Sequence, residues 1–321
     1  MSVGIDAGTG SYGVYVLEED RHYEFSSSEV REDPSGFVEF LESLEFDTGA
    51  GLSGYGLPVK RLYEISEREF SLMTLNFERE QSLGMRKVIE EVRRRRLEVF
   101  TIPAVIHLPT VPGYRKVNRI DMGTYDKVCS AAYVLHSYGI RQTFILAELG
   151  YGFNAFLAVE NGRIVDGIGG TSGFPGYSSM SAIDGELAYL LGKVDKGLLF
   201  RGGLKSYFSA RGEDFDWSAF AEWVMKGIRA LTAVVSPDVV YLSGRFAKRV
   251  RDRVEEEFQV VELSDEKGKV SAIGAAIIAS GYAGRDGKEV VDVLKLREAR
   301  GTVLDHITPD VRKMLRIDHN F

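Results

Sequence analysis

The chain has 321 residues, 44% of them hydrophobic and 27% charged, with a net charge of −7. That length suggests about two domains with substantial cores, and the negative balance gives no electrostatic case for nucleic acid as the main partner. The single cysteine, Cys129, leaves no disulfide framework and no cysteine-rich metal or iron–sulfur site within the chain.

Residues 2–17, SVGIDAGTGSYGVYVL, read as an apolar strand, an acidic residue, a glycine turn and a second apolar strand. Residues 21–27 read as a third strand that completes a meander. Phe37, Phe40, Leu41 and Leu44 share one face of a short helix after Pro34. Residues 49–56, GAGLSGYG, read as a glycine-rich strand and turn lining a cleft. Residues 78–98 predict a long charged helix. Its run Arg93-Arg94-Arg95-Arg96 is flanked by Glu90, Glu91 and Glu98, which favours a solvated face over a nucleic-acid surface. Residues 99–108 read as a buried strand and 108–122 as a charged loop. A helix is expected over 123–138 and a second meander over 142–168, with Asn161-Gly162 as a hairpin turn. A glycine- and serine-rich loop spans 167–180. Helices follow over 182–192 and 217–235, then a buried strand and glycine turn at 238–244 with a helix opening at Arg245. The small-residue helix VSAIGAAIIASGY covers 270–282.

The two meanders repeat. At a shift of 142 positions Asp6 meets Glu148, Gly8 meets Gly150 and Gly10 meets Gly152, and the strands that follow align without a gap. The repeat predicts two similar halves. An acidic side chain at a strand end can hold Mg²⁺, and a Gly-x-Gly turn can point backbone N–H groups at a phosphate. Thr9 and Ser11 add hydroxyls. Gly8 to Gly13 also spells G-x-G-x-x-G, but a dinucleotide fingerprint needs a helix at the turn, and VYVLEED has no helical period. The P-loop, zincin and nucleophile-elbow motifs are absent. The five histidines show no metal-ligand spacing. With no leader pattern and no apolar run of about 18 residues, a cytoplasmic protein is expected.

This order of parts resembles the acetate and sugar kinase, Hsp70 and actin superfamily, and within it the acetate and butyrate kinase branch over residues 1–285. The Gly123-Thr124-Tyr125-Asp126-Lys127 run is similar to the G-T-x-x-K segment of those kinases. Glu148-Leu149-Gly150-Tyr151-Gly152 sits where they have H-L-G-x-G, and Asn161 to Asp166 is similar to their K-G-R-V-I-D hairpin. The resemblance implies an α/β protein of two ribonuclease-H-like domains, an actin-like ATPase duplication flanking a nucleotide cleft. The domains are expected over 1–122 and 123–284, with 285–321 packing back on the first. It further implies ATP and Mg²⁺ as ligands. Asp6, Gly8, Thr9, Gly10 and Ser11 would form the first phosphate motif and Glu148, Gly150, Tyr151 and Gly152 the second. Ser243, Gly244 and Arg245 would form the adenosine motif. Asp6 and Glu148 are the expected metal holders.

Where the kinases carry substrate-facing histidines and an arginine, this chain has Met122, Glu148 and no arginine near Ser172. Arg119 or Arg163 is the expected substitute. The predicted activity is transfer of the ATP γ-phosphate to a small acceptor. A carboxylate acceptor needs no base, because it is ionised at neutral pH; a hydroxyl acceptor would need Asp121 or Asp126. The alternatives are a nucleotide-driven ATPase switch or activator, and a kinase of a hydroxyl-bearing small molecule. A homo-oligomer without nucleic-acid or membrane partners is the expected assembly.

Overall fold

The computed structural model describes residues 1–8, 10–75 and 85–315. Thr9, the first part of the helix expected over 78–98, and the last six residues lie outside them. Two compact units divide the chain. The first comprises Met1–Ile120, Thr124–Ile140 and Asp265–Phe321; the second comprises Asp121–Gly123 and Arg141–Ser264.

The first unit holds a five-stranded sheet of β1 (Ser2–Ala7), β2 (Ser11–Val16), β3 (Arg21–Ser26), β4 (Thr48–Gly51) and β5 (Val99–Phe100), in the order β3-β2-β1-β4-β5. The second unit holds β6 (Phe144–Leu149), β7 (Asn154–Glu160), β8 (Arg163–Ile168), β9 (Val239–Ser243) and β10 (Val260–Glu262), in the order β10-β9-β6-β7-β8. In each sheet three antiparallel strands form the meander and two parallel strands extend it beside the first strand. β2 runs straight back from the Gly8–Ser11 turn beside β1, so no helix begins there and the G-x-G-x-x-G spelling carries no dinucleotide geometry.

Strand alternation decides what each sheet face meets. Val3 and Ile5 of β1 point into a core with Val14, Val16, Phe37, Val38 and Leu41, under the Pro34–Ser43 helix. Each such side chain, fully buried, stabilises the unit by roughly 1.5–3 kcal/mol. The even residues point the other way. A Cβ on Gly4 would lie 2.0 Å from the Ala272 carbonyl oxygen, so glycine there lets the Val270–Tyr282 helix press against β1. A Cβ on Gly274 of that helix would lie 1.8 Å from the Cys129 carbonyl oxygen, on the Tyr125–Tyr138 helix. These contacts explain why the units do not divide at a single cut between 122 and 123: Thr124–Ile140 and the chain from Asp265 onward go with the first unit. In the second unit Ile145, Ala147, Leu149, Phe156 and Ala158 pack against Phe220, Val224 and Ile228 of the Trp217–Thr232 helix.

Two expected elements differ. The 99–108 strand pairs only at Val99–Phe100; Pro103 has no N–H for a ladder, and the buried chain continues as a 3-10 turn at Val105–His107. In the Gly49–Gly56 segment residues 49–53 and Gly56 are buried around β4, and only Gly54 and Tyr55 are half-buried. Ser53 Oγ donates to the Gly51 carbonyl and accepts from Ile102 N, and a Cβ on Gly56 would lie 2.2 Å from Ala104 N. Within the Met85–Arg95 helix and after it the arginine run is consumed locally: Arg93 binds Glu67, Arg94 binds Glu91, Arg95 binds Glu39 and Glu42, and Arg96 lies over Tyr63. Among the described residues no helix is long and apolar enough to cross a membrane.

Candidate active site

The duplicated turns close in the same way. Gly8 N donates to the Ser11 carbonyl at 3.1 Å, and Gly150 N, at the matching position, donates to the Phe153 carbonyl at 3.0 Å. Asp6 stands opposite Gly13 and Glu148 opposite Ala155, so each acid occupies the same place in its hairpin.

In the first unit the turn is buttressed by the residue that follows β3: Ser27 N donates to the Gly10 carbonyl at 3.1 Å and Ser27 Oγ to the Gly8 carbonyl at 2.9 Å. Gly10 is exposed at the tip, and a Cβ there would meet nothing within 4 Å. The Ser11 hydroxyl donates to Glu24, so it is turned along the sheet rather than into the turn. Asp6, 6% exposed, lies on the face covered by the Val270–Tyr282 helix, and that packing delivers Lys269. Lys269 Nζ lies 3.4 Å from Asp6 Oδ2 and donates to the Ser11 carbonyl at 2.6 Å. A side chain at Gly8 would crowd this contact, since its Cβ would lie 3.0 Å from Lys269 Nζ. Tyr125 Oη accepts from Ala7 N at 3.0 Å and ties the Tyr125–Tyr138 helix to the end of β1. Burial pushes the Asp6 carboxyl above its usual range; Lys269 opposes this, Asp126 adds to it, and Lys127 and Ser271 pull it down without cancelling burial.

Asp126 is a different kind of acid. Burial raises its pKa, but Lys127, whose Nζ donates at 2.6 Å, and the Thr124 hydroxyl more than offset this and hold it below the usual range. A carboxylate so held is a poor base. Asp121, expected as the other base, is a loop anchor. Its Oδ1 accepts from Gly123 N at 3.0 Å, and its Oδ2 accepts from Thr171 N at 2.9 Å and Thr171 Oγ1 at 3.0 Å. Ser172 Oγ donates to the Asp121 carbonyl at 2.5 Å. Both carboxylate oxygens are thus engaged in holding the Gly123 and Thr171 backbone.

In the second unit Glu148 stands beside Ser243 in the parallel β6–β9 register. Gly244 has φ +88°, and a Cβ there would lie 2.6 Å from the Leu149 carbonyl oxygen, so only glycine allows this turn. Phe246 N donates to that carbonyl at 3.2 Å. The Gly150–Gly152 and Ser243–Arg245 segments are thereby side by side. Tyr151, 47% exposed, has its ring 5.2 Å from that of Tyr177; the Arg245 guanidinium lies 5.7 Å from its centroid, and Lys205 Nζ donates to its hydroxyl at 3.2 Å. Gly152 is packed, since its Cβ would lie 2.9 Å from Ser179 Oγ. Arg163 pairs with Glu160 at the end of the sheet away from this turn, so it cannot supply the missing cation there. Arg119 is exposed in the first unit's loop. A shallow depression of about 400 Å³ lined by Thr143, Asn161, Val234 and Asp238 also lies at the Asn161 end, without convergent catalytic groups.

No cluster of three or more His, Cys, Asp or Glu side chains able to cage a metal exists among the described residues. Mg²⁺ needs no such cage: it keeps its waters and binds one or two carboxylates together with phosphate oxygens. Asp6, whose Oδ2 lies 3.6 Å from where a Cβ on Gly8 would stand, is the carboxylate at the base of the first turn that could take part in such a site. Lys269 was not singled out by sequence reasoning, and Lys127 only as the lysine of the G-T-x-x-K run. The available signal for Lys269 was its place immediately before the small-residue helix.

Two sheets of matching order, each with an acid and a closed glycine turn at the same place, define a mixed α/β protein of the actin-like ATPase fold. The chain belongs to the family described as protein of unknown function DUF1464, whose model matches residues 4–309. Its fold is similar to that of a propionate kinase from Francisella tularensis subsp. tularensis SCHU S4, with a TM-score of 0.55 at 14% identity, covering 85% of this chain and 99% of that one. It is also similar to acetate kinase from Entamoeba histolytica, with a TM-score of 0.54 at 10% identity, covering 79% and 86%. No curated protein sequence matches the chain significantly.

Proposed function

We propose that the chain is an ATP-dependent phosphotransferase that moves the ATP γ-phosphate to a small acceptor, a short carboxylate first among them as in the butyrate kinases. The observation that carries this reading is the duplicated turn, with the same Gly N–H to carbonyl closure and the same acid in both units. In the first unit Asp6 would hold Mg²⁺ and Lys269 would face the phosphate chain. In the second, Glu148 and the Gly150–Gly152 turn would take the matching role, with Ser243, Gly244, Arg245 and the Tyr151 ring receiving the nucleoside. Mg²⁺, when bound, would neutralise phosphate charge. The protein's part is to orient the phosphates and to meet developing negative charge with fixed dipoles and Lys269.

The state of the two aspartates favours a carboxylate acceptor over a hydroxyl. Asp126 is held below the usual carboxylate range by Lys127 and the Thr124 hydroxyl, which makes it a weak proton acceptor, and Asp121 is tied through both oxygens to Gly123 and Thr171. A carboxylate has no proton to give.

The test is ADP release from Mg-ATP by the purified chain, with and without short carboxylates and polyols, and with hydroxylamine to trap an acyl phosphate. Carboxylate-stimulated release with trapped hydroxamate is expected. Stimulation by polyols alone would replace the acceptor class. Slow hydrolysis indifferent to every acceptor would leave a nucleotide-driven switch.

A further inference from the structure

The strongest unexplained polar feature lies in the first unit, where the loop of residues 104–120 meets the tail of residues 299–309. The two segments are stitched together by backbone: Arg300 N donates to the His107 carbonyl at 3.1 Å, Asn118 N to the His306 carbonyl at 2.9 Å, and Thr308 N to Asn118 Oδ1 at 2.8 Å. Leu108, Val111, Val303 and Ile307 are buried around them.

Two buried donors stand in this apolar setting. Lys116 is 6% exposed, and its Nζ donates to one acceptor among the described residues, the Leu108 carbonyl at 2.8 Å. Lys116 makes no ion pair with a described carboxylate. An ammonium group has three N–H bonds to satisfy. His107 is 3% exposed. Its Nδ1 accepts from Ala104 N at 3.2 Å, which in a neutral imidazole puts the proton on Nε2. That Nε2–H is buried without an acceptor among the described residues. The Lys116 ammonium, anchored on the carbonyl of Leu108 next to His107, lowers the proton affinity of both His107 and His306. Asp305, the carboxylate that acts on the same imidazoles, is turned toward Thr302, accepting from its N and Oγ1 at 2.8 Å each, with Arg312 at 3.8 Å.

We propose that Lys116 and His107 form a binding site for a small oxyanion, a carboxylate or phosphate group, where the 104–120 loop meets the 299–309 tail. A buried donor without an acceptor, here His107 Nε2–H, is unfavourable, and a cation with N–H bonds to spare beside it offers an anion both a charge and a directed hydrogen bond. The site shares no residue with the Gly8–Ser11 turn and does not depend on the phosphotransferase reading.

Histidine ring ¹H–¹⁵N spectra of the full chain, without nucleotide and at constant ionic strength, read the site directly. The His107 Nε2–H signal is assigned by its loss in His107→Gln. Sodium phosphate and sodium acetate are titrated separately against sodium chloride. A saturable shift of that signal with either oxyanion is expected, and which of the two gives it identifies the source. Lys116→Met should weaken the binding at least tenfold. No shift, an equal shift with chloride, or an unchanged affinity in Lys116→Met would overturn the site. The wild-type titration stands even where a variant fails to fold.

Discussion

Asp6 separates stability from activity at a single position. Its carboxyl holds a proton more tightly in the fold than in the unfolded chain, because burial disfavours the charge. For an acid shifted upward, the stabilising contribution is present at low pH and lost as pH rises through the folded pKa. Ionised Asp6 therefore works against folding at neutral pH, with Lys269 at 3.4 Å as partial compensation. Asp6→Asn should melt no lower than wild type at pH 7.5 while losing at least ~100-fold in ADP release. A melting point several degrees lower would make the Asp6–Lys269 pair a structural element instead. His107 has the opposite dependence. Burial lowers its pKa from 6.5 to about 4, so neutral His107 contributes fully above pH 6.5 and that contribution is lost as pH falls toward 4. At ~1.4 kcal/mol per tenfold this gap is worth about 3 kcal/mol. Urea titrations of wild type and His107→Gln in chloride buffer should differ by that amount in their pH dependence between 7.5 and 4. Parallel curves would mean that His107 is not held neutral by the fold.

At the scale of elements, what could be read in the sequence was local. The meanders were legible because apolar strands, Gly-x-Gly turns and Asn161-Gly162 each write a short-range pattern, and the second copy confirmed the first. The helix at Val270–Tyr282 matches its small-residue stretch end to end. Failures came where an element's fate depends on a distant partner. Pro103 and Ser53 decide together that residues 101–106 leave the ladder, and the Ser53 contact to Ile102 N has no sequence signature. Asp121 is a candidate base by its place in a charged loop, and its contacts to Gly123 and Thr171, which make it a loop anchor, write no pattern in the sequence. The acids and glycines of the candidate site were legible because they belong to the turns themselves. Lys269 was not, because it reaches Asp6 only through the packing of a helix against Gly4.

At the scale of the molecule, the chain path makes the two units unequal. The first is assembled from three separate segments, and its β1 is covered by a helix that arrives only after the second unit has been completed. The second is continuous over Arg141–Ser264 apart from Asp121–Gly123. It contains its whole sheet and its own core of Phe156, Phe220, Ile228 and Leu242. A domain with its own core can fold alone. A fragment of residues 141–264 should therefore melt cooperatively by circular dichroism, with rapid amide exchange at Thr171, whose acceptor Asp121 is missing. A fragment of residues 1–140 should not melt cooperatively, because the face of β1 carrying Gly4 and Asp6 has lost its helix. Adding residues 265–321 in trans should restore a transition. If residues 141–264 give a broad, non-cooperative melt, the second unit draws its stability from the rest of the chain, and the duplication joins two interdependent halves instead of a self-sufficient unit and a composite one.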